Sequence, residues 1–201
     1  MAKMQQSDYV FFDWLAALQA FIASLSPYQF VQTGIYTAIS LSIIGAGTGI
    51  MMIGASLTQA TIHHPEIKSK NLLSILFCEA IALYGIIMGI ILFSSTGAEQ
   101  ANIILNTANY DGPRYYTDQI IQNDVNNLAT GFSIGFGGIT VGCCNIVAAL
   151  TVGILGSSVV IAHSNSPAIF VKLFIAEVFA EAIALIGLIA GIVMSLGGKF
   201  K

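Results

Sequence analysis

The stretch NLLSILFCEAIALYGIIMGIILFS, residues 71–94, decides the fold class because it is apolar over more than the ~20 residues that cross a bilayer as a helix. Its one charged residue, Glu79, lies in its interior. Three more apolar runs exceed the same length, and they cover residues 33–60, 127–162 and 168–196. The sequence therefore predicts an all-α integral membrane protein whose four long transmembrane helices form two tandem hairpins.

Composition supports a membrane protein and excludes other classes. Of the 201 residues, 56% are hydrophobic and only 8% are charged, whereas a soluble domain devotes about a quarter of its residues to charge. A net charge of -3 with seven Lys and Arg residues leaves no basic surface for nucleic acid. The cysteines lie inside apolar runs without the spacing of a zinc site, so we expect neither a metal nor another cofactor. These cysteines are Cys78, Cys143 and Cys144.

A shorter apolar run, residues 9–25, predicts a fifth, amino-terminal helix. Asp13 and Gln19 within it also allow a helix that lies along the membrane surface. Basic residues near the helix ends favour a cytoplasmic location for the amino terminus and for the two short turns inside the hairpins. The expected organisation is an amino-terminal tail and helix (1–32), a first hairpin (33–94), a polar non-cytoplasmic loop (95–126) and a second hairpin (127–201).

The two hairpins repeat each other at a shift of 102 residues, which carries the EAIAL of residues 79–83 onto the EAIAL of residues 181–185. In each hairpin a proline precedes the glutamate by 14 residues, or about 20 Å along a helix. Glu79 and Glu181 are therefore predicted to share one depth near the middle of the membrane. The first helix of each hairpin carries small residues at helical spacing, which predicts that these two helices pack closely together.

A carboxyl group at that depth is expected to carry protons. Its ionised form costs at least ~2.5 kcal/mol in the membrane, so the group is protonated when it faces lipid and can ionise when it meets water or a cation. The structural alternative is a neutral group that only hydrogen-bonds helices together. Glu177 lies four residues before Glu181, on the same helix face, so these two acids could share one proton. Because no Lys or Arg lies at the level of the acids, we expect a cationic partner from another polypeptide.

Three segments resemble the proteolipids of V-type proton-translocating ATPases. They are NLLSILFCEAIALYGIIMGIILFSS, GASLTQATIHHPEIKSKNL and PAIFVKLFIAEVFAEAIALIGLIAGIV. The extra amino-terminal run and the segment of about thirty residues before the third long helix are more similar to the c-double-prime proteolipid than to the shorter c-type proteolipid.

The resemblance implies a ring of proteolipids in the membrane of a vacuole or another acidic organelle, or in the plasma membrane. It also implies a stationary membrane subunit that supplies an arginine, and a central stalk joined to a soluble sector that hydrolyses ATP. Glu79 matches the acid that c-double-prime proteins use for transport, and Glu177 matches their second acid. Glu181 stands at the position of the acid in c-type proteolipids, where c-double-prime proteins carry a small residue, so a second active site is left open. We rank Glu79 first, Glu181 second and Glu177 third.

Three other interpretations of the sequence stay open. The chain could be the four-helix c-type proteolipid of the same ring with an amino-terminal extension. It could be a four-span channel or structural membrane protein, or a stand-alone proton-coupled transporter. Its glycine-rich stretches lie inside apolar spans rather than between a strand and a helix, so no site for ATP hydrolysis is expected in this chain.

Overall fold

A computed structural model describes residues 14–17, 27–64, 70–108 and 118–197, with residues 97–108 and 118–125 described by their backbone alone. Four long helices account for most of these residues. They are α1 (Pro27–His63), α2 (Leu72–Ala108), α3 (Asp118–Asn165) and α4 (Phe170–Leu196), and a 3-10 turn at Pro167–Ile169 precedes α4. The predicted all-α membrane fold is confirmed. Residues 14–17 are helical, and the rest of the predicted fifth helix lies outside the described residues.

The four helices contain apolar stretches long enough to cross a membrane. These stretches are Pro27–His63, Leu72–Thr96, Asn126–Asn165 and Pro167–Leu196. They reproduce the four runs predicted from the sequence to within three residues at each end, except that the first begins six residues earlier, at Pro27. The helices α1 and α2 form one hairpin, and α3 and α4 form the other.

The segment expected to be a polar loop, residues 95–126, is helical at both ends. Helix α2 continues to Ala108, and α3 already begins at Asp118. Ala, Glu, Gln and Leu are good helix formers wherever they occur, so a helix need not stop where its apolar residues stop. The residues that do break helices, Gly112 and Pro113, fall in the interval 109–117, outside the described residues.

Both hairpins reverse direction at the same end of the bundle, which we call the turn end. Helix α1 finishes just before Pro65, and α3 finishes just before Pro167. Proline has no backbone N–H and clashes with the preceding turn, so a proline shortly after each helix is consistent with these ends. The amides of His64 and Ser166, which are 102 residues apart, each bond at 2.9 Å to the carbonyl four residues earlier.

The first helices of the two hairpins, α1 and α3, pack closely along their length. A methyl group on Gly34 would lie 2.6 Å from the Gly135 carbonyl oxygen, and one on Gly142 would lie 2.7 Å from the Thr37 carbonyl oxygen. Only glycine fits at such distances, because its lack of a side chain lets two backbones approach. The predicted close packing of the first helices is confirmed.

Helices α2 and α4 pack outside this pair through glycines of their own. Gly85 of α2 faces Ser42 of α1, and Gly187 of α4 faces Cys144 of α3. The two glycines and the two side chains they meet are each 102 residues apart. The sequence repeat therefore extends to the packing of the hairpins.

The outer faces of α2 and α4 are apolar. Phe93 and Ile90 on α2 and Phe179 and Ile186 on α4 each expose more than 60% of their surface. Water would oppose this exposure, since burying such side chains is favourable by about 1.5–3 kcal/mol each. Lipid does not oppose it, and the arrangement fits a bundle surrounded by hydrocarbon.

Candidate functional site: the carboxyl groups of α2 and α4

Glu79 lies on the exposed face of α2. Its neighbours one turn away on the same face, Leu76 and Leu83, expose 55% and 52% of their surface. The carboxyl group therefore emerges from an apolar, outward-facing surface. In this position it can reach whatever polypeptide or lipid lies against α2.

Glu177 has the opposite environment. Its side chain is fully buried, and the Ser74 hydroxyl lies 2.8 and 2.9 Å from its two carboxyl oxygens. A hydroxyl has one proton, so Ser74 donates to one of these oxygens at a time. The contact joins α2 to α4 in the interior of the bundle.

Glu181 is half-buried at the same contact between α2 and α4. The Tyr84 hydroxyl donates a hydrogen bond of 2.9 Å to Glu181 Oε1. The long tyrosine side chain packs with the core of the bundle and brings its polar tip to the carboxyl group. Glu181 is thus held by α2 while part of its surface stays open.

The helical spacing of α2 separates these acids. Ser74 and Tyr84 are each five residues from Glu79, which is about 140° around a helix of 3.6 residues per turn. The face of α2 that contacts α4 is therefore nearly opposite the face that carries Glu79. The structure places Glu177 and Glu181 together between α2 and α4, and it places Glu79 apart from them.

Asn145 of α3 is a further buried polar group, which the sequence analysis does not identify. Its side-chain Nδ2 donates to Ser42 Oγ of α1 at 2.8 Å and to the Ile81 carbonyl of α2 at 3.4 Å. The Ser42 hydroxyl in turn donates to the Ala38 carbonyl at 2.6 Å. An asparagine inside an apolar run is the signal that could have found it. Asn145 joins three helices, and its bond to Ile81 lies two residues from Glu79.

The described residues contain neither a cluster of metal ligands nor a basic side chain beside the three acids. Among them, no three His, Cys, Asp or Glu side chains gather closely enough to hold a metal ion. The lysines in the described ranges, Lys70 and Lys172, lie at or near the turn end and are exposed. The acids therefore have hydroxyl partners or none within the described part of this chain.

The duplicated hairpin matches a known protein family. The family described as the C subunit of ATP synthase matches the chain twice, over residues 33–92 and 134–194. The c'' subunit of the V-type proton ATPase of Saccharomyces cerevisiae is 34% identical over 87% of this chain and 74% of its own length. The chain belongs to the V-type proton ATPase proteolipid family.

Sequence identity distinguishes the c'' type of proteolipid from the c type. The c''2 subunit of the V-type proton ATPase of Arabidopsis thaliana is 38% identical over 90% of both chains. The 16 kDa proteolipid of the V-type proton ATPase of Ovis aries, which is of the c type, is 25% identical over 83% of this proteolipid and 90% of its own length. The predicted resemblance to the c'' type is confirmed. Each of the two family matches contains one member of the pair Glu79 and Glu181.

Proposed function

We propose that this proteolipid carries protons in the membrane ring of a rotary V-type ATPase, with Glu79 as the principal carrier. The observation that carries the proposal is the outward position of Glu79 on a membrane-spanning helix. A carrier has to meet lipid, water and a stationary partner in turn, and only an exposed carboxyl group can do so. Glu79 is the most exposed of the three acids.

The chemistry follows from the cost of a charge in hydrocarbon. An ionised carboxylate at the centre of a membrane costs at least ~2.5 kcal/mol, so Glu79 crosses the lipid-facing part of its path as a neutral acid. Beside an arginine of a stationary subunit, or beside water, the ionised form is stabilised and the proton leaves. The next proton is taken up before the carboxylate returns to lipid.

The other two acids have more restricted settings. Glu181 is half-buried and held by Tyr84, so it is the second candidate and would have to release that hydroxyl in order to exchange its proton with a partner. Glu177 is fully buried against Ser74, so it is the third candidate. Its position suits a group that hydrogen-bonds α4 to α2 better than it suits a proton carrier.

The energy for the cycle has to come from elsewhere in the complex. Moving one elementary charge against 100 mV requires ~2.3 kcal/mol. We assign the supply of this energy to an ATP-hydrolysing soluble sector that turns the ring through a central stalk. The corresponding location is the membrane of a vacuole or another acidic organelle.

The test is substitution of one acid at a time in the assembled complex. Glu79→Gln keeps the size of the side chain and removes the exchangeable proton, so ATP-dependent acidification of vesicles should be abolished. Glu177→Gln is the matched control and should retain acidification, because its neutral amide can still accept the Ser74 hydrogen bond. Complex assembly is checked by copurification of the ATP-hydrolysing subunits.

Two outcomes would contradict the proposal. Normal acidification by Glu79→Gln, with loss in Glu181→Gln, would move the carrier to the contact between α2 and α4. Failure of the wild-type chain to copurify with any ATP-hydrolysing protein would favour a channel or a structural membrane protein.

A further inference from the structure

Buried polar side chains continue from Glu177 toward the turn end of the bundle. Glu177 and Asn71 have no exposed surface, Ser74 exposes 1% and His163 exposes 7%. They come from α4, from the residue before α2, from α2 itself and from the last turn of α3. We call these four residues the buried polar column.

The helical geometry sets the order of the column. Asn71 and Ser74 are three residues apart and share the inward face at the start of α2, about 4.5 Å apart along its axis. A methyl group on Gly156 would lie 3.0 Å from Ser74 Cβ, which fixes α3 against this part of α2. His163 lies two turns beyond Gly156 on the same face of α3. The column therefore runs from His163 at the turn end through Asn71 and Ser74 to Glu177.

The surroundings of His163 support this order. Lys70, the residue next to Asn71, lies close enough to His163 for their charges to interact. The His163 ring also packs edge-on against Phe170, with 4.9 Å between ring centroids, so α4 closes the same region. His163 and Asn71 thus lie at one end of the bundle, at the contact of three helices.

Three atoms of the column are buried without a hydrogen-bond partner in the described part of the chain. They are Oδ1 and Nδ2 of Asn71 and Nδ1 of His163. Asn71 immediately precedes α2, yet its side-chain oxygen makes no capping bond to that helix. A buried polar group left unpaired loses the hydrogen bonds that water gave it and destabilises the folded chain. Such groups in native proteins are satisfied by ordered water when no protein atom reaches them.

We propose that the buried polar column holds ordered water and connects Glu177 to the turn-end surface, so that Glu177 exchanges its proton through that end. Beyond Ser74, the inward face of α2 continues with Cys78, Ile81, Met88 and Leu92, all with no exposed surface. Along this face of α2 the column does not continue beyond Ser74, and Glu181, one turn beyond Glu177 on α4, is held by Tyr84 instead. In each exchange a proton leaves the carboxyl group to water while another arrives, so the acid remains neutral and no net charge enters the core.

The test follows the exchange of the Glu177 proton for deuterium in the assembled complex in membranes. The carbonyl stretching band of protonated Glu177 is identified as the infrared band that disappears in Glu177→Gln, and its shift is timed after transfer to D₂O. Asn71→Leu fills the column with hydrocarbon and should slow the shift at least tenfold. Asn71→Ser leaves a hydroxyl group and room for water, and it should exchange at the wild-type rate.

Two further variants make the result specific. His163→Phe keeps a ring against Phe170 and removes the nitrogens, so it should also slow the exchange, and it serves if Asn71→Leu does not fold. Thr96→Val removes a buried hydroxyl group near the opposite end of the apolar part of α2 and should change nothing.

Equal exchange rates in wild type, Asn71→Leu and His163→Phe would overturn the proposal. They would mean that the buried polar column holds no water that exchanges with the turn-end surface. The result is independent of the carrier assignment, because Glu79→Gln should stop acidification and leave the exchange at Glu177 unchanged.

Discussion

Replacing Gly34 with alanine should separate α1 from α3. The added methyl group would lie 2.6 Å from the Gly135 carbonyl oxygen, against about 3.4 Å for ordinary contact. The two backbones would have to move apart by about 0.8 Å at this point. The obstacle is a backbone atom of a long helix, so the helix itself has to shift.

The cost can be worked from that displacement. A gap of 0.5–1 Å forfeits about a quarter to a half of the dispersion energy of the atoms that lose contact, and overpacking of this kind typically costs about 1–3 kcal/mol. Alanine recovers part of this cost, because it favours a helix over glycine by about 1 kcal/mol. We therefore expect Gly34→Ala to lower the free energy of unfolding by about 1 kcal/mol, within a range of about 0–2 kcal/mol.

Gly47 provides a matched control on the same helix. A methyl group on Gly47 meets no atom of the described chain within 4 Å, so Gly47→Ala should gain the alanine preference without the clash. The two variants should differ by about 2 kcal/mol, or roughly thirtyfold in the unfolding equilibrium. The measurement is unfolding of the purified chain from mild detergent by added SDS, followed by circular dichroism. Equal stability of the two variants would refute the idea that close backbone contact holds α1 to α3.

Three other outcomes are expected. Tyr84→Phe removes the hydrogen bond to Glu181, so a hydrophobic carbodiimide should label that acid several-fold more than in wild type. Peptide mass spectrometry measures the labelling, and an unchanged level would contradict a restraining role for the Tyr84 hydroxyl. Cys143 is exposed and Cys78 is buried, so a membrane-permeable maleimide should modify the first and spare the second in the folded chain. Asn145→Leu should destabilise the chain by about 1–2 kcal/mol, because the buried Ser42 hydroxyl loses the amide that donates to it. SDS unfolding tests this value. A variant as stable as wild type would show that the hydrogen bonds of Asn145 contribute nothing to stability.

The membrane-spanning stretches are predictable from the sequence, but the length by which a helix extends beyond its apolar residues is not. Hydropathy marks where a chain crosses hydrocarbon, so it predicts the second run at residues 71–94, close to the observed Leu72–Thr96. It does not mark where a helix ends, and α2 extends to Ala108 because helix-forming residues follow the apolar ones.

The acids themselves are also visible in the sequence, but their surroundings are not. Glu177 and Glu181 are one turn apart and share a face, yet one is fully buried and the other is half-open. This difference depends on how α4 crosses α2, which no local pattern encodes. Their partners, Ser74 and Tyr84, lie on a different helix, and the repeat of 102 residues relates equivalent positions rather than contacting ones.

The glycines between α1 and α3 come from both helices along their shared length. Gly131, Gly135 and Gly142 of α3 meet carbonyl oxygens of α1, and Gly34 of α1 meets one of α3. Neither helix can slide or roll against the other without driving a side chain into a backbone. The two hairpins are therefore packed as one stiff body. If the chain is part of a rotor as proposed, elastic twist would accumulate at the joints between neighbouring proteolipids, and torque would pass through this chain with little loss.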